Sequence, residues 1–161
     1  MSNAEPISEA QIDEFAQAWY LALDQHVPPA RIAELLADDG LQMIFPEKTL
    51  HGMGDFLAWY AGGTYTDGEK TPGVINIFFD ENHNVASVKS EIAGDLAKVR
   101  VVVAWQASVF VPPAAKSKRI SADFTQDWVV SRSTKNPYGL AIVSYNAVAE
   151  PPRSAPGFAR L

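Results

Sequence analysis

Cysteine is absent from the sequence. A chain without thiols has no disulfide framework, no thiolate metal site and no cysteine nucleophile, and its lack of cysteine suits a reducing compartment. Positive charge is also scarce: 13 Lys and Arg stand against 19 Asp and Glu, for a formal net charge of −6. The only basic cluster, Lys116, Lys118 and Arg119, falls in an expected turn. Nucleic-acid binding needs concentrated positive charge and is not expected. The three histidines are far apart, with no HxH or HxxxH spacing, so no metal site is expected. No glycine-rich phosphate loop follows a strand and no GxSxG elbow occurs, so no cofactor is expected either. Long hydrophobic runs are missing. The longest, Val99 to Trp105, is interrupted by Arg100 and is far short of the ~20 residues that cross a bilayer. The first residues carry neither a basic region nor an apolar stretch, so no signal peptide is expected. These absences together describe a cytoplasmic protein without a membrane partner.

What is present is enough for one well-filled domain: 161 residues, 47% of them hydrophobic and 20% charged. Ser8 with Gln11 three residues later makes a capping-box pattern, and Ile12, Phe15, Trp19 and Leu23 recur at helical spacing up to Val27-Pro28-Pro29. A short second helix carries Ile32, Leu35 and Leu36 and ends before Gly40. Leu41 to Phe45 is a short strand, Thr49 to Gly54 a turn, and Asp55 to Ala61 a third helix. The stretch 62–73, with four glycines and one proline, is expected to be a loop beside the mouth of the fold. From Val74 the apolar period becomes two. Strands are expected over 74–79, 84–92, 96–111, 119–132 and 140–148, with turns at Asp80-Glu81-Asn82, Gly94-Asp95 and Asn136-Gly139. Helices first and sequential long strands afterwards imply an α+β fold with three N-terminal helices on a curved antiparallel sheet. The domain is expected over 8–149, between an N-terminal tail (1–7) and a C-terminal tail (150–161). Strands this long twist and bend, and helices laid over a concave sheet leave a pocket unless large side chains fill it.

The order of these elements carries a resemblance. Trp19-Tyr20-Leu21-Ala22-Leu23-Asp24, Ile32 to Asp39, the strand into Phe45-Pro46, Leu50-His51-Gly52 before an aromatic helix, Ala104-Trp105-Gln106 and Thr125-Gln126-Asp127-Trp128 together resemble the nuclear transport factor 2-like superfamily. The SnoaL-like group is the best match. The resemblance implies a cystatin-like cone with an apolar pocket. The superfamily spans ketosteroid isomerase, scytalone dehydratase, limonene epoxide hydrolase, polyketide cyclases and non-enzymatic binding modules. The isomerase pattern carries over badly: Trp19 falls near its tyrosine, Ile44 or Phe45 at its base aspartate, and only Asp127 matches, at its late-strand acid. Scytalone dehydratase is resembled through a histidine leading into a strand, here His83.

Two residues are therefore candidates for proton transfer, Asp127 and His83. Alternation along strand 119–132 puts Asp123, Thr125 and Asp127 on one face and Phe124, Gln126 and Trp128 on the other, so Asp127 lies either in the pocket with a raised pKa or on the wet face. His83 is either an acid–base group or an exposed turn histidine. Trp19, Tyr20, Phe45, His51, Trp59, Tyr60, Trp105 and Trp128 are the expected substrate-binding residues, an aromatic set suited to a hydrophobic ligand. The expected function is cofactor-independent acid–base chemistry on a hydrophobic cyclic metabolite: isomerisation, cyclisation, dehydration or hydrolysis. The rival is a non-catalytic ligand-binding or dimerisation module of the same shape. A homodimer is expected in either case, to cover an apolar outer sheet face.

Overall fold

The computed structural model describes residues 6–110 and 116–150, and the backbone of 153–154. The strand end expected at Pro112-Pro113 lies outside the described residues, as do most residues of both tails.

Helix α1 runs from Glu9 to Asp24. Ser8 and Gln11 form the expected reciprocal cap, with Gln11 N–H donating to Ser8 Oγ at 3.0 Å and Ser8 N–H to Gln11 Oε1 at 3.3 Å. Its buried stripe is Ile12, Phe15, Ala16, Trp19, Tyr20 and Leu23. The helix stops where His26 enters the left-handed region at φ 50° and prolines follow. α2 (Pro29–Ile32) continues as a 3₁₀ turn over Ala33–Leu35. β1 (Gln42–Ile44) pairs antiparallel with β2 (Thr49–His51), so part of the expected turn is a strand. α3 (Met53–Ala61) follows.

The expected loop 62–73 contains a small hairpin, β3 (Gly62–Thr64) with β4 (Lys70–Pro72). Gly73 ends it where a Cβ would collide with the backbone of Tyr60, Ala61 and Gly62. That close approach seats the next element against α3. The next element is a short helix, α4 (Val74–Ile77), where period-two reading gave a strand. A run of four apolar or amide residues cannot distinguish the two periods.

Four long elements complete the sheet: β5 (Phe78–Ala93), β6 (Leu96–Val109), β7 (Lys118–Arg132) and β8 (Leu140–Asn146). The strand order is β2-β1-β8-β7-β6-β5. The long neighbours are antiparallel, as expected, but β1 pairs β8 in parallel, which makes the sheet mixed. The backbone of β9 (Arg153–Ser154) adds to β7 opposite Ala122 and Asp123, inside the stretch expected as a tail. Register shifts between Phe79 and Asn82, Val85 and Ser87, and Val129 and Val130 bend the strands.

The first of these shifts corrects the sequence reading. Asp80-Glu81-Asn82 is not a hairpin turn. It is a bulge inside one continuous strand, with Asp80 at φ 51° absorbing the extra residue. Inside the cone, Trp128 stacks on Tyr145 at 5.5 Å between centroids, and Phe15 meets Trp128 edge-on at 6.5 Å. No helix among the described residues is long and apolar enough to cross a membrane.

Candidate functional site

One end of the cone is not filled by its own side chains. A cavity of about 100 Å³, open to solvent on one side, lies between the helices and the inner face of the sheet. Phe45 and Trp59, stacked at 4.1 Å, form one wall, and Trp59 Nε1 donates to Glu47 at 2.9 Å. Phe78, Trp105 and Phe124 form another, with Phe78 meeting Trp105 edge-on at 5.2 Å.

The polar part of the wall starts with His83. Its main-chain N–H donates to Asp24 Oδ2 at 2.9 Å and its Nδ1 sits 2.6 Å from Asp24 Oδ1. Both side chains are largely buried, 11% and 16% exposed. A carboxylate can only accept from Nδ1–H, so in the neutral form of the ring Nε2 is the basic nitrogen. Nε2 has no hydrogen-bond partner among the described residues, and the ring lies in the cavity wall. The Tyr20 ring covers its other side at a centroid distance of 5.0 Å. Local sequence explains the pairing. Asp24 is the last residue of α1, one turn beyond Tyr20 on the same face, and the bulge turns His83 toward it.

Glu81, two residues before His83, faces the same way. Its side chain is 7% exposed and its Oε2 lies 3.0 Å from His26 Nε2. Burial raises its pKa, against the opposing pull of His83, His26 and Trp105. Gln126 and Tyr145 complete the wall. Gln126 Oε1 accepts from Tyr20 Oη at 2.6 Å and from Trp128 Nε1 at 3.2 Å. Burial pushes Tyr145 up to about 12, with hydrogen bonds from Trp19, Gln126 and Tyr20 opposing, and pushes Tyr20 well above its ordinary value. Both phenols therefore stay protonated. Among the described residues no cluster of His, Cys, Asp or Glu could hold a metal ion.

No family model and no curated protein matches the chain. Solved structures do. A Novosphingobium aromaticivorans protein described as a candidate scytalone dehydratase superposes with a TM-score of 0.68 at 12% identity, over 94% of this chain and 87% of that one. A nuclear transport factor 2-like superfamily protein from Salmonella enterica serovar Typhimurium gives 0.65 at 13% identity, over 94% and 96%. This chain has the nuclear transport factor 2-like fold. Hexachlorocyclohexane dehydrochlorinase LinA-type3 from Novosphingobium barchaimii gives 0.62 at 14% identity, over 95% and 93%.

On this fold, the residues expected from the sequence separate into three groups. His83, Phe45, Trp59 and Trp105 are in the cavity wall. Trp19, Tyr20, Tyr60 and Trp128 are at most 2% exposed and belong to the packed core behind it. Tyr20 contributes indirectly, by covering His83. His51 is exposed at the end of β2, where its N–H donates to Asp55 Oδ2 at 2.9 Å. Asp127 is corrected outright. It sits on the outer face of β7, 44% exposed, in a two-pronged pair with Arg100 at 2.8 Å on each prong. The hydrogen bond from Arg100, more than the opposing burial, lowers its pKa. The sheet separates it from the cavity, so it cannot partner His83. The outer face is mixed rather than apolar, with Arg100 and Asp127 beside Val102 and Val129, which removes the expected reason for homodimerisation.

Sequence reasoning missed Asp24, Glu81, Gln126 and Tyr145 as a set. The Tyr20–Asp24 helical spacing was the one usable signal. Glu81 was hidden by the expected turn.

Proposed function

We propose that this chain is a cofactor-independent acid–base enzyme of the elimination type, removing a proton and a leaving group from a small, largely apolar molecule. The carrying observation is the His83–Asp24 dyad: one imidazole nitrogen without a hydrogen-bond partner among the described residues, the other held by a carboxylate, in the wall of a largely apolar cavity. His83 Nε2 takes the proton from carbon. Asp24 orients the ring and stabilises the imidazolium that forms. Gln126 and the protonated Tyr145 are the groups available to hydrogen-bond a substrate oxygen as charge develops on it. Phe45, Trp59 and Trp105 hold the apolar body of the molecule.

The fold neighbours lend support in kind, since dehydration and dehydrochlorination are both eliminations that remove a proton and a leaving group. A pure binding or dimerisation module can do with a filled or wholly apolar interior, whereas an enzyme needs a titratable group there, and His83 with Glu81 in the wall favours the enzymatic reading. A homodimer belongs to the proposal on the weaker ground of partly exposed Ile92 and Leu96 at the β5–β6 turn. Gel filtration giving a monomer removes that part.

Turnover of scytalone and of hexachlorocyclohexane by the purified protein, with deuterium uptake from D₂O as a second readout, tests the chemistry. The expected result is elimination or exchange with at least one probe, lost in His83→Asn. No reaction with either, or equal rates for parent and variant, overturns the proposal.

A further inference from the structure

The dyad accounts for removal of a proton. It leaves unexplained why a second carboxyl group is buried in the same wall. Glu81 follows the bulge at Asp80 and is two residues from His83, so the two side chains reach the cavity from one strand. We infer that Glu81 is the general acid of this pocket, resupplied with protons through His26, so that the site can expel a leaving group that departs only when protonated. The inference rests on the proposed base role of His83 and adds the fate of the leaving group.

The geometry provides a path from solvent to cavity. His26 Nε2 is 3.0 Å from Glu81 Oε2, and the His26 side chain is 23% exposed while that of Glu81 is 7% exposed. A proton from water can therefore reach Glu81 through an imidazole that touches both sides. His26 is held for this in the left-handed region at φ 50°, an arrangement uncommon for a residue with a Cβ. The groups facing Glu81 are His26 after α1, Tyr60 of α3, His83 on its own strand and Trp105 of β6. Burial among them favours the protonated carboxyl against the pull of the two histidines.

The chemistry follows from what each leaving group needs. Chloride departs as a stable anion without a proton. Hydroxide does not, and an acid beside it is required. A carbonyl next to the C–H bond makes that proton removable by an imidazole, and Gln126 and Tyr145 can hydrogen-bond the enolate oxygen. The step balances: His83 Nε2 takes the proton, the C–H electron pair becomes the C=C bond, and the C–O bond breaks as Glu81 donates its proton. Water leaves. Glu81 is reprotonated through His26, and His83 returns its proton to solvent. The cavity, at about 100 Å³, is smaller than the ~150 Å³ that holds benzene, so a ring entering through the open side leaves part of itself at the mouth.

The test uses 3-hydroxycyclohexanone and 3-chlorocyclohexanone with the parent, Glu81→Gln and His26→Gln, each checked for folding by thermal melting. The parent is expected to eliminate from both. Glu81→Gln should slow loss of water about 100-fold or more while changing loss of chloride less than about 3-fold. Loss of water in His26→Gln should fall in the same direction by a smaller factor. Equal slowing for both leaving groups, or none for either, overturns the general-acid assignment. Parent protein inert to both probes overturns it together with the elimination reading. His83→Asn with undiminished deuterium uptake by the probes fails the base reading alone.

Discussion

Of the aspartates that this fold pairs with a basic side chain at nearly the same distance, two stand in contrasting surroundings. Asp127 and Arg100 meet at 2.8 Å on the outer face of the sheet with both side chains almost half exposed. Asp24 and His83 meet at 2.6 Å under helix α1 with both side chains mostly covered. Water screens the first pair, and its partner cannot lose a proton, so the pair has little to offer beyond a local tie. In the second pair the basic partner is an imidazole, and the carboxylate fixes which of its nitrogens faces the cavity without a proton when the ring is neutral. Length alone therefore says nothing about function. Burial, and a partner able to titrate, decide it.

The comparison can be broken most sharply at the inner pair. Asp24→Asn is expected to lower turnover of a reactive probe about 10²–10⁴-fold, with kcat falling and KM nearly constant, because the imidazole loses its fixed tautomer. A steady-state assay decides this, and parent-like kcat defeats it.

A next, smaller effect concerns stability and a third aspartate. Asp55 is 2% exposed, and burial would raise its pKa, yet donors from His51 N–H, Thr66 N–H and the Thr66 hydroxyl outweigh burial and lower it. A folded value below the unfolded one means the benefit is present above about pH 4 and is lost as pH falls through the folded value. Asp55→Ala should cost about 3 kcal/mol at neutral pH, read by urea denaturation. The gap between parent and variant should close in acid.

Glu81 has the opposite sign. Its folded pKa is raised, so its contribution is full below the unfolded carboxylate range and is lost as pH rises through the folded value. Melting curves of Glu81→Gln against the parent should move in favour of the variant from about pH 4 upward. A constant difference across pH contradicts the burial assigned to this side chain.

The smallest effect belongs to the outer pair. Asp127→Asn should leave turnover unchanged and cost less than about 1 kcal/mol, a cost that shrinks further in high salt. A large activity loss would return Asp127 to the site and erase the contrast between the two faces.

Much of this architecture was readable from the chain, and the failures have a common cause. The capping box at Ser8 and the stripe from Ile12 to Leu23 are local signals, and α1 forms where they say. Alternation along 119–132 correctly separated Asp127 from Phe124, Gln126 and Trp128, but period two does not say which face is covered. The cover is a helix more than a hundred residues away in sequence. The bulge at Asp80 was invisible because Asp-Glu-Asn-His has the composition of a turn, and a bulge and a turn both need one residue that tolerates a positive φ. With the turn went Glu81 and the inward direction of His83. Asp24 looked like an ordinary helix-end acid until β5 placed an imidazole against it.

The double grip of Asp24 on His83, one oxygen on the ring and the other on the main-chain N–H, separates two kinds of inheritance. The main-chain contact fastens the end of the helical roof to the edge strand whatever side chain follows it. A descendant that gave up chemistry would still gain from keeping the aspartate, while nothing would preserve the imidazole. On the proposed base role of His83, the residue at position 83 would be the one that sorts working copies from retired ones.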